Sequence, residues 1–94
     1  MSSFSAEYLR ETAAIAASLD ADLIDEVAAR LADVRARGGR LFILGAGGGA
    51  GHASHAVNDF RKICDLESYS PSDNVSELTA RVNDQGWEVA YSEW

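Results

Sequence analysis

Along the first 40 residues, side chains that can be buried recur at spacings of three and four, the period of a helix with one covered face. From Ala6 to Leu19 the stripe is Tyr8, Thr12, Ile15 and Leu19, with Ser5 placed to cap the start and alanines at 13, 14, 16 and 17. Such small residues suit close contact with another helix. Asp20 or Asp22 is placed to cap a second helix, in which Leu23, Ile24, Val27, Leu31 and Val34 form an apolar stripe. Asp25, Glu26, Arg30, Asp33 and Arg37 form its solvated face, and Gly38-Gly39 ends it.

From Arg40 the period changes. Leu41 to Leu44 is a continuous apolar run, as expected of a strand buried on both faces of a parallel sheet. Glycines at 45, 47, 48, 49 and 51 interrupt it, and a helical pattern resumes from about Gly51 to Cys64. In that helix Ala53, Ala56, Val57, Phe60, Ile63 and Cys64 point toward a core, while His52, His55 and Asp59 share a neighbouring face. Cys64 reads as a packed thiol rather than a nucleophile. Leu66 to Ser70 fits a second strand, followed by a turn at Ser70-Pro71-Ser72-Asp73. Asn74, three residues before Glu77, opens a helix through Val82, which Asn83-Asp84-Gln85-Gly86 breaks. Trp87 to Trp94 opens another helix. With no third strand, the pattern reads as an α/β fold cut off part-way: a helical pair over residues 1–39, then the start of a parallel α/β core over 40–94.

The glycine segment carries the chemistry. Without side chains the backbone can approach an anion closely, and the first N–H groups of the following helix, backed by its dipole, supply donors. A phosphorylated ligand is the functional reading, and a strand-to-helix turn that binds nothing is the bland one. A Walker-type loop needs a lysine and a hydroxyl residue after the last glycine, where His52 and Ala53 stand, so that reading fails. A dinucleotide fingerprint can be drawn through Gly45, Gly47 and Ala50, with Asp65 or Glu67 as the ribose-binding acid near the end of the second strand. It leaves the His/Asp face without a role.

Composition narrows the partners. Ninety-four residues with a net charge of −7 make non-specific binding to nucleic acid or an anionic membrane unfavourable. Phosphate must then be held by local geometry. A domain of this length buries only about 60% of its unfolded surface, so association with another copy, as a dimer or tetramer, is expected. One cysteine and no signal-like or membrane-length apolar run point to the cytoplasm.

The order Gly45-Ala46-Gly47-Gly48-Gly49-Ala50, then His55-Ala56-Val57-Asn58-Asp59, then Asn83-Asp84-Gln85-Gly86-Trp87 with Tyr91 behind it resembles the sugar isomerase (SIS) domain family. Within it the chain is most similar to the sedoheptulose 7-phosphate (phosphoheptose) isomerases, whose pattern is Gly-Asn-Gly-Gly-Ser-Ala, a His four residues before a Glu, and Asn-Asp-aromatic-Gly. The resemblance covers residues 40–94. It implies a three-layer, flavodoxin-like α/β fold with N-terminal helices, and aldose–ketose isomerisation of a phosphorylated seven-carbon sugar through an enediol.

Carried over residue by residue, Ala46, Gly47, Gly48 and Gly49 would contact the substrate. His55 and Asp59 would be the acid–base pair and would bind zinc, and Asn83 and Asp84 would bind sugar hydroxyls. A ligand at the glycines would then lie within a few ångströms of His55 and Asp59. His52 is either a third ligand or simply a residue of the helix start. Three positions depart from the family: Ala46 replaces asparagine, Gly49 a phosphate-binding serine, and Asp59 the longer glutamate. The family's second phosphate loop and its distal Gln and His would lie beyond Trp94, so the resemblance implies that the chain is a fragment, that another chain supplies the remainder, or that catalysis has been given up. These departures keep open an alternative, a non-catalytic oligomeric SIS-type binding or regulatory module.

Overall fold

The computed structural model describes residues 3–94, which form two compact units, one ending at Arg30 and the other running from Leu31 to Trp94. In the first, helix α1 (Phe4–Ser18) begins at Ser3, whose hydroxyl accepts the Ala6 N–H at 3.2 Å. The cap is thus two residues ahead of the expected Ser5. An extended Leu19 ends α1, and the Asp20 carboxylate accepts the Leu23 N–H at 3.2 Å to start α2 (Ala21–Ala36). Every residue from Ser3 to Arg30 is exposed, so the apolar stripes are present but uncovered.

In the second unit, α2 stops at a Schellman turn: Gly38, at φ +69°, donates to the Arg35 carbonyl while Gly39 donates to that of Val34. The chain then enters β1 (Leu41–Phe42), crosses over through α3 (Gly48–Lys62), and returns as β2 (Ser68–Tyr69), parallel to β1. Leu41 pairs with Ser68 and Phe42 with Tyr69. The Leu41 and Ile43 N–H groups donate to the Glu67 and Tyr69 carbonyls at 2.8 and 3.0 Å. This is a minimal βαβ unit, in which a helix spans the distance that parallel pairing imposes. A 3-10 turn at Pro71–Asp73, α4 (Val75–Gln85) and α5 (Trp87–Glu93) follow. Asn74 caps α4 as expected, accepting the Glu77 N–H at 3.0 Å.

The described residues are therefore mostly helical, with one two-stranded parallel sheet, and several expectations need correction. The Leu41–Leu44 strand is two residues long and is not buried on both faces: Leu41 and Ile43 are half-buried, while Phe42 and Leu44 are exposed. A sheet of two strands has too little neighbouring structure to cover alternate residues on both sides. The second strand shrinks likewise, from Leu66–Ser70 to Ser68–Tyr69. Helix α3 starts three residues earlier than expected, at Gly48. Its covered stripe is narrower, with Ala53 and Val57 buried and Ile63 fully outside. Asn83 and Asp84 do not break α4 but form its last turn, and Gly86, at φ +93°, makes the break.

Leu66, Ala90, Ser68, Ser70 and Pro71 complete the buried set around Ala53 and Val57. Ser68 remains satisfied by donating its hydroxyl to the Leu66 carbonyl at 2.9 Å. Helix α3 packs on β2 and on the 3-10 turn, where the Ser54 hydroxyl donates to Asp73, and α4 packs on α5. No described helix is long and apolar enough to cross a membrane.

The glycines divide into two kinds. A Cβ built on Gly45 falls 2.3 Å from the Gly49 carbonyl carbon and oxygen, whereas one on Gly51, inside α3, meets nothing within 4 Å. Gly45→Ala is expected to lower unfolding stability by about 1–3 kcal/mol through overpacking. Gly51→Ala is expected to raise it by about 0.5–1 kcal/mol by restricting the unfolded chain. Urea melts of the two variants check this, and a Gly45→Ala protein as stable as the parent would contradict the close approach.

Candidate functional site

The site is built where β1 hands over to α3. Ile43 is the last residue held by the sheet, and Leu44 and Gly45 lead into a bend at Ala46. Gly47 then turns the chain at φ +55°, a left-handed conformation that favours glycine. As the N-cap of α3 it has no side chain to offer, so the opening turn of the helix has no side-chain cap. The Gly49 N–H returns to the Ala46 carbonyl at 2.9 Å and the Gly51 N–H to that of Gly47 at 3.2 Å. A Cβ added at Gly47, Gly48 or Gly49 would meet open space. The turn thus presents a helix N-terminus, uncapped and unobstructed, to whatever approaches it.

Gly45 is clasped from two sides. Its Cα lies against the first turn of α3, and its carbonyl accepts the Tyr91 hydroxyl at 2.8 Å, a contact spanning 46 residues of sequence. Tyr91 is half-buried and leans on Trp87, with ring centres 5.6 Å apart. The fully buried Ala90 holds α5 in place beside it.

His55 and Asp59 meet as the sequence pattern requires. His55 Nε2 lies 3.2 Å from Asp59 Oδ2, with both side chains reaching solvent. An exposed i, i+4 pair of this kind contributes no more than about 0.5 kcal/mol to the helix, so its worth to the protein lies in what it presents. The pair does not lie within a few ångströms of the turn, because at 1.5 Å per residue His55 stands about 10 Å along the axis from Gly48, and Asp59 about 16 Å. All three nevertheless share one face, since seven and eleven residues are close to whole numbers of turns. His52 is exposed near the same face.

Zinc takes three or four protein ligands, of which His55 and Asp59 supply two. Among the described residues no group of three or more His, Cys, Asp and Glu side chains is arranged to hold a metal ion, His52 included. The donors present do not complete a zinc site. Asn83 and Asp84 sit exposed on the last turn of α4, joined to each other by an Asn83 Nδ2 to Asp84 Oδ1 bond of 3.0 Å. Among the described residues no hydrogen bond ties them to the glycine turn or to His55.

The dinucleotide alternative loses its acid. Asp65, at φ +51°, and Glu67 both precede β2 rather than follow it, so they lie at the opposite end of the sheet from the glycine turn. Glu67 is also engaged, accepting the Tyr69 hydroxyl at 2.6 Å. That bond, with desolvation and the charge of Glu67, raises the Tyr69 pKa above 10.0. Cys64 is half-buried, and its carbonyl accepts the Arg35 guanidinium at 3.0 Å.

Three contacts escaped the sequence reading: the Tyr91 hydroxyl on Gly45, the Ser54 hydroxyl on Asp73, and the Arg35 guanidinium on the Cys64 carbonyl. Each joins elements whose approach is set by tertiary packing, which no local pattern encodes.

No protein-family model matches the chain, and no solved structure matches it. The phosphoheptose isomerase of Solidesulfovibrio magneticus is 33% identical over 95 residues, an alignment covering 93% of this chain and 47% of that protein. The chain therefore spans about half the length of this relative. The similarity runs through both the glycine turn and the His55–Asp59 helix, and it makes the chain a distant relative of the phosphoheptose isomerases.

Proposed function

We propose that the chain carries part of a phosphosugar isomerase site on an SIS-type fold, acting between sedoheptulose 7-phosphate and an aldoheptose 7-phosphate. The observation that carries this reading is the alignment of the open α3 N-terminus with the His55–Asp59 pair on one helix face. A phosphate at the turn would accept hydrogen bonds from the first amides of α3, with the helix dipole favouring its charge. A sugar lying along α3 would bring its carbonyl end to the pair. Eight bonds separate C1 of such a sugar from phosphorus, a reach of about 10 Å when extended, which matches the rise from Gly48 to His55.

At that end, the Asp59 carboxylate takes the C2 proton of the aldose, the electrons move into an enediol, and the proton returns to C1 to give the ketose. His55, in contact with Asp59, moves the accompanying proton between the two oxygens. Asn83 and Asp84 would bind sugar hydroxyls from the α4–α5 segment. In this reading the two-stranded sheet is the first part of a three-layer SIS sheet, and the protein works in the cytoplasm.

The same reading assigns the first unit to self-association. Phe4, Leu9, Ile15, Leu19, Leu23, Ile24 and Val27 are each more than half exposed, on or beside two helices that bury no residue. Apolar surface of that extent on short helices is stabilised by a partner, and a second copy presents the same stripe.

Two outcomes follow. Asp59→Asn keeps the shape of the side chain and removes its basicity, so turnover of sedoheptulose 7-phosphate should fall by about 10²–10⁴-fold with sugar-phosphate affinity retained. Asp59→Glu should preserve or raise activity. Turnover at the parent rate in Asp59→Asn would remove the catalytic assignment and favour the binding module. Sedimentation velocity at micromolar concentration should give a dimer or tetramer, and a monomer would contradict the assignment of α1 and α2.

A further inference from the structure

We propose that Tyr91 is a positioning residue for the glycine turn: its hydroxyl holds the Gly45 carbonyl and so presets the direction in which the turn presents its amides. The role rests on the reading of the turn as an anion site, and it adds to that reading a residue from the far end of the chain. The geometry behind it is specific. In a planar trans peptide the carbonyl and the following N–H point in opposite directions, so fixing the Gly45 carbonyl also fixes where the Ala46 N–H points. The hydroxyl donates to that carbonyl at 2.8 Å, drawing it toward α5. The Ala46 N–H is thereby turned away from α5. On its other side Gly45 is pressed against Gly49 and Ala50, where even a methyl group would overlap the backbone.

The next link is the Gly49 N–H, which returns to the Ala46 carbonyl at 2.9 Å. Orientation set at Gly45 is therefore passed on to the first turn of α3. Gly47 and Gly48 have no Cβ and no neighbour within 4 Å of where one would be, so no side chain packs against these peptides, and two backbone bonds, Gly49 to Ala46 and Gly51 to Gly47, are their internal restraint. An external anchor is what such a segment needs if it is to meet a ligand without first paying the entropy of ordering. Tyr91 is suited to the task because its own position is fixed. Its ring leans on Trp87, and the adjacent Ala90 is completely buried.

Tyr91→Phe removes the hydroxyl and keeps the ring. Tyr69→Phe serves as control, since it removes a hydroxyl bonded to Glu67 rather than to the turn. Amide hydrogen exchange is followed in the ligand-free parent and in both variants, and sedoheptulose 7-phosphate binding by calorimetry. Loss of one net hydrogen bond corresponds to a change of about three- to tenfold in an equilibrium. Exchange at Gly49 and Gly51, whose N–H groups bond back to the Ala46 and Gly47 carbonyls, should accelerate by that factor in Tyr91→Phe alone, with α4 amides unchanged and sugar-phosphate affinity lower by a similar factor.

Unchanged exchange at the turn overturns the proposal, and so does unchanged affinity. Acceleration spread evenly over α3, α4 and the turn also overturns it, because the hydroxyl would then be stabilising the fold at large. If the parent itself binds no sugar phosphate, the proposed function fails, and turn-specific acceleration in Tyr91→Phe still decides whether the hydroxyl orders the segment.

Discussion

The contact on which the rest of the second unit depends is backbone against backbone: Gly45, leaving β1, lies so close to Gly49 that only a residue without a Cβ fits. This approach lets the chain reverse from strand to helix within two residues, so α3 can start at Gly48 and run back beside β2. Because the crossover is that tight, the α3 N-terminus opens at the end of the sheet where β1 finishes. An uncapped helix start at that place is both a structural debt, first-turn N–H groups of which that of Gly49 is met by the Ala46 carbonyl, and a binding opportunity. An acidic chain, at net charge −7, attracts no phosphate by its overall field. Local donors are the means that remain.

In the proposed function, helix α3 links binding to chemistry by its periodicity. Gly48, His55 and Asp59 fall on one face because the intervals between them approximate whole turns, and the 3.2 Å contact between His55 and Asp59 follows from their i, i+4 spacing. The opposite side of the same helix anchors it through Ala53 and Val57. One element therefore carries packing on one face and the His55–Asp59 pair on another. Tyr91, arriving from α5, closes the arrangement by fixing the carbonyl at the head of the turn.

Local chemistry was legible in the sequence wherever it was decided within one element. The second helix and its glycine stop, the Asn74 cap, the strand-to-helix glycine turn and the His55–Asp59 contact all follow from spacing and residue type. What could not be read depended on neighbours. Leu41 to Leu44 has the composition of a doubly buried strand, yet Phe42 and Leu44 stay exposed because the sheet has only two strands. Asn83 and Asp84 read as helix breakers, but α4 continues through them to Gly86, since their propensity costs are small against the packing of α4 on α5. The few-ångström distance between turn and acid–base pair was an error of scale, corrected by the rise of the helix joining them.

The central claim is that the glycine turn at the head of α3 holds a phosphate, and amide chemical shifts test it most directly. In a titration of the nitrogen-15-labelled chain with sedoheptulose 7-phosphate, saturable shifts should centre on Ala46, Gly47, Gly48, Gly49 and Ala50. They should vanish in Gly48→Val, whose side chain would fill the open space in front of the helix. Shifts that bypass these five residues, or that persist unchanged in Gly48→Val, would contradict the account.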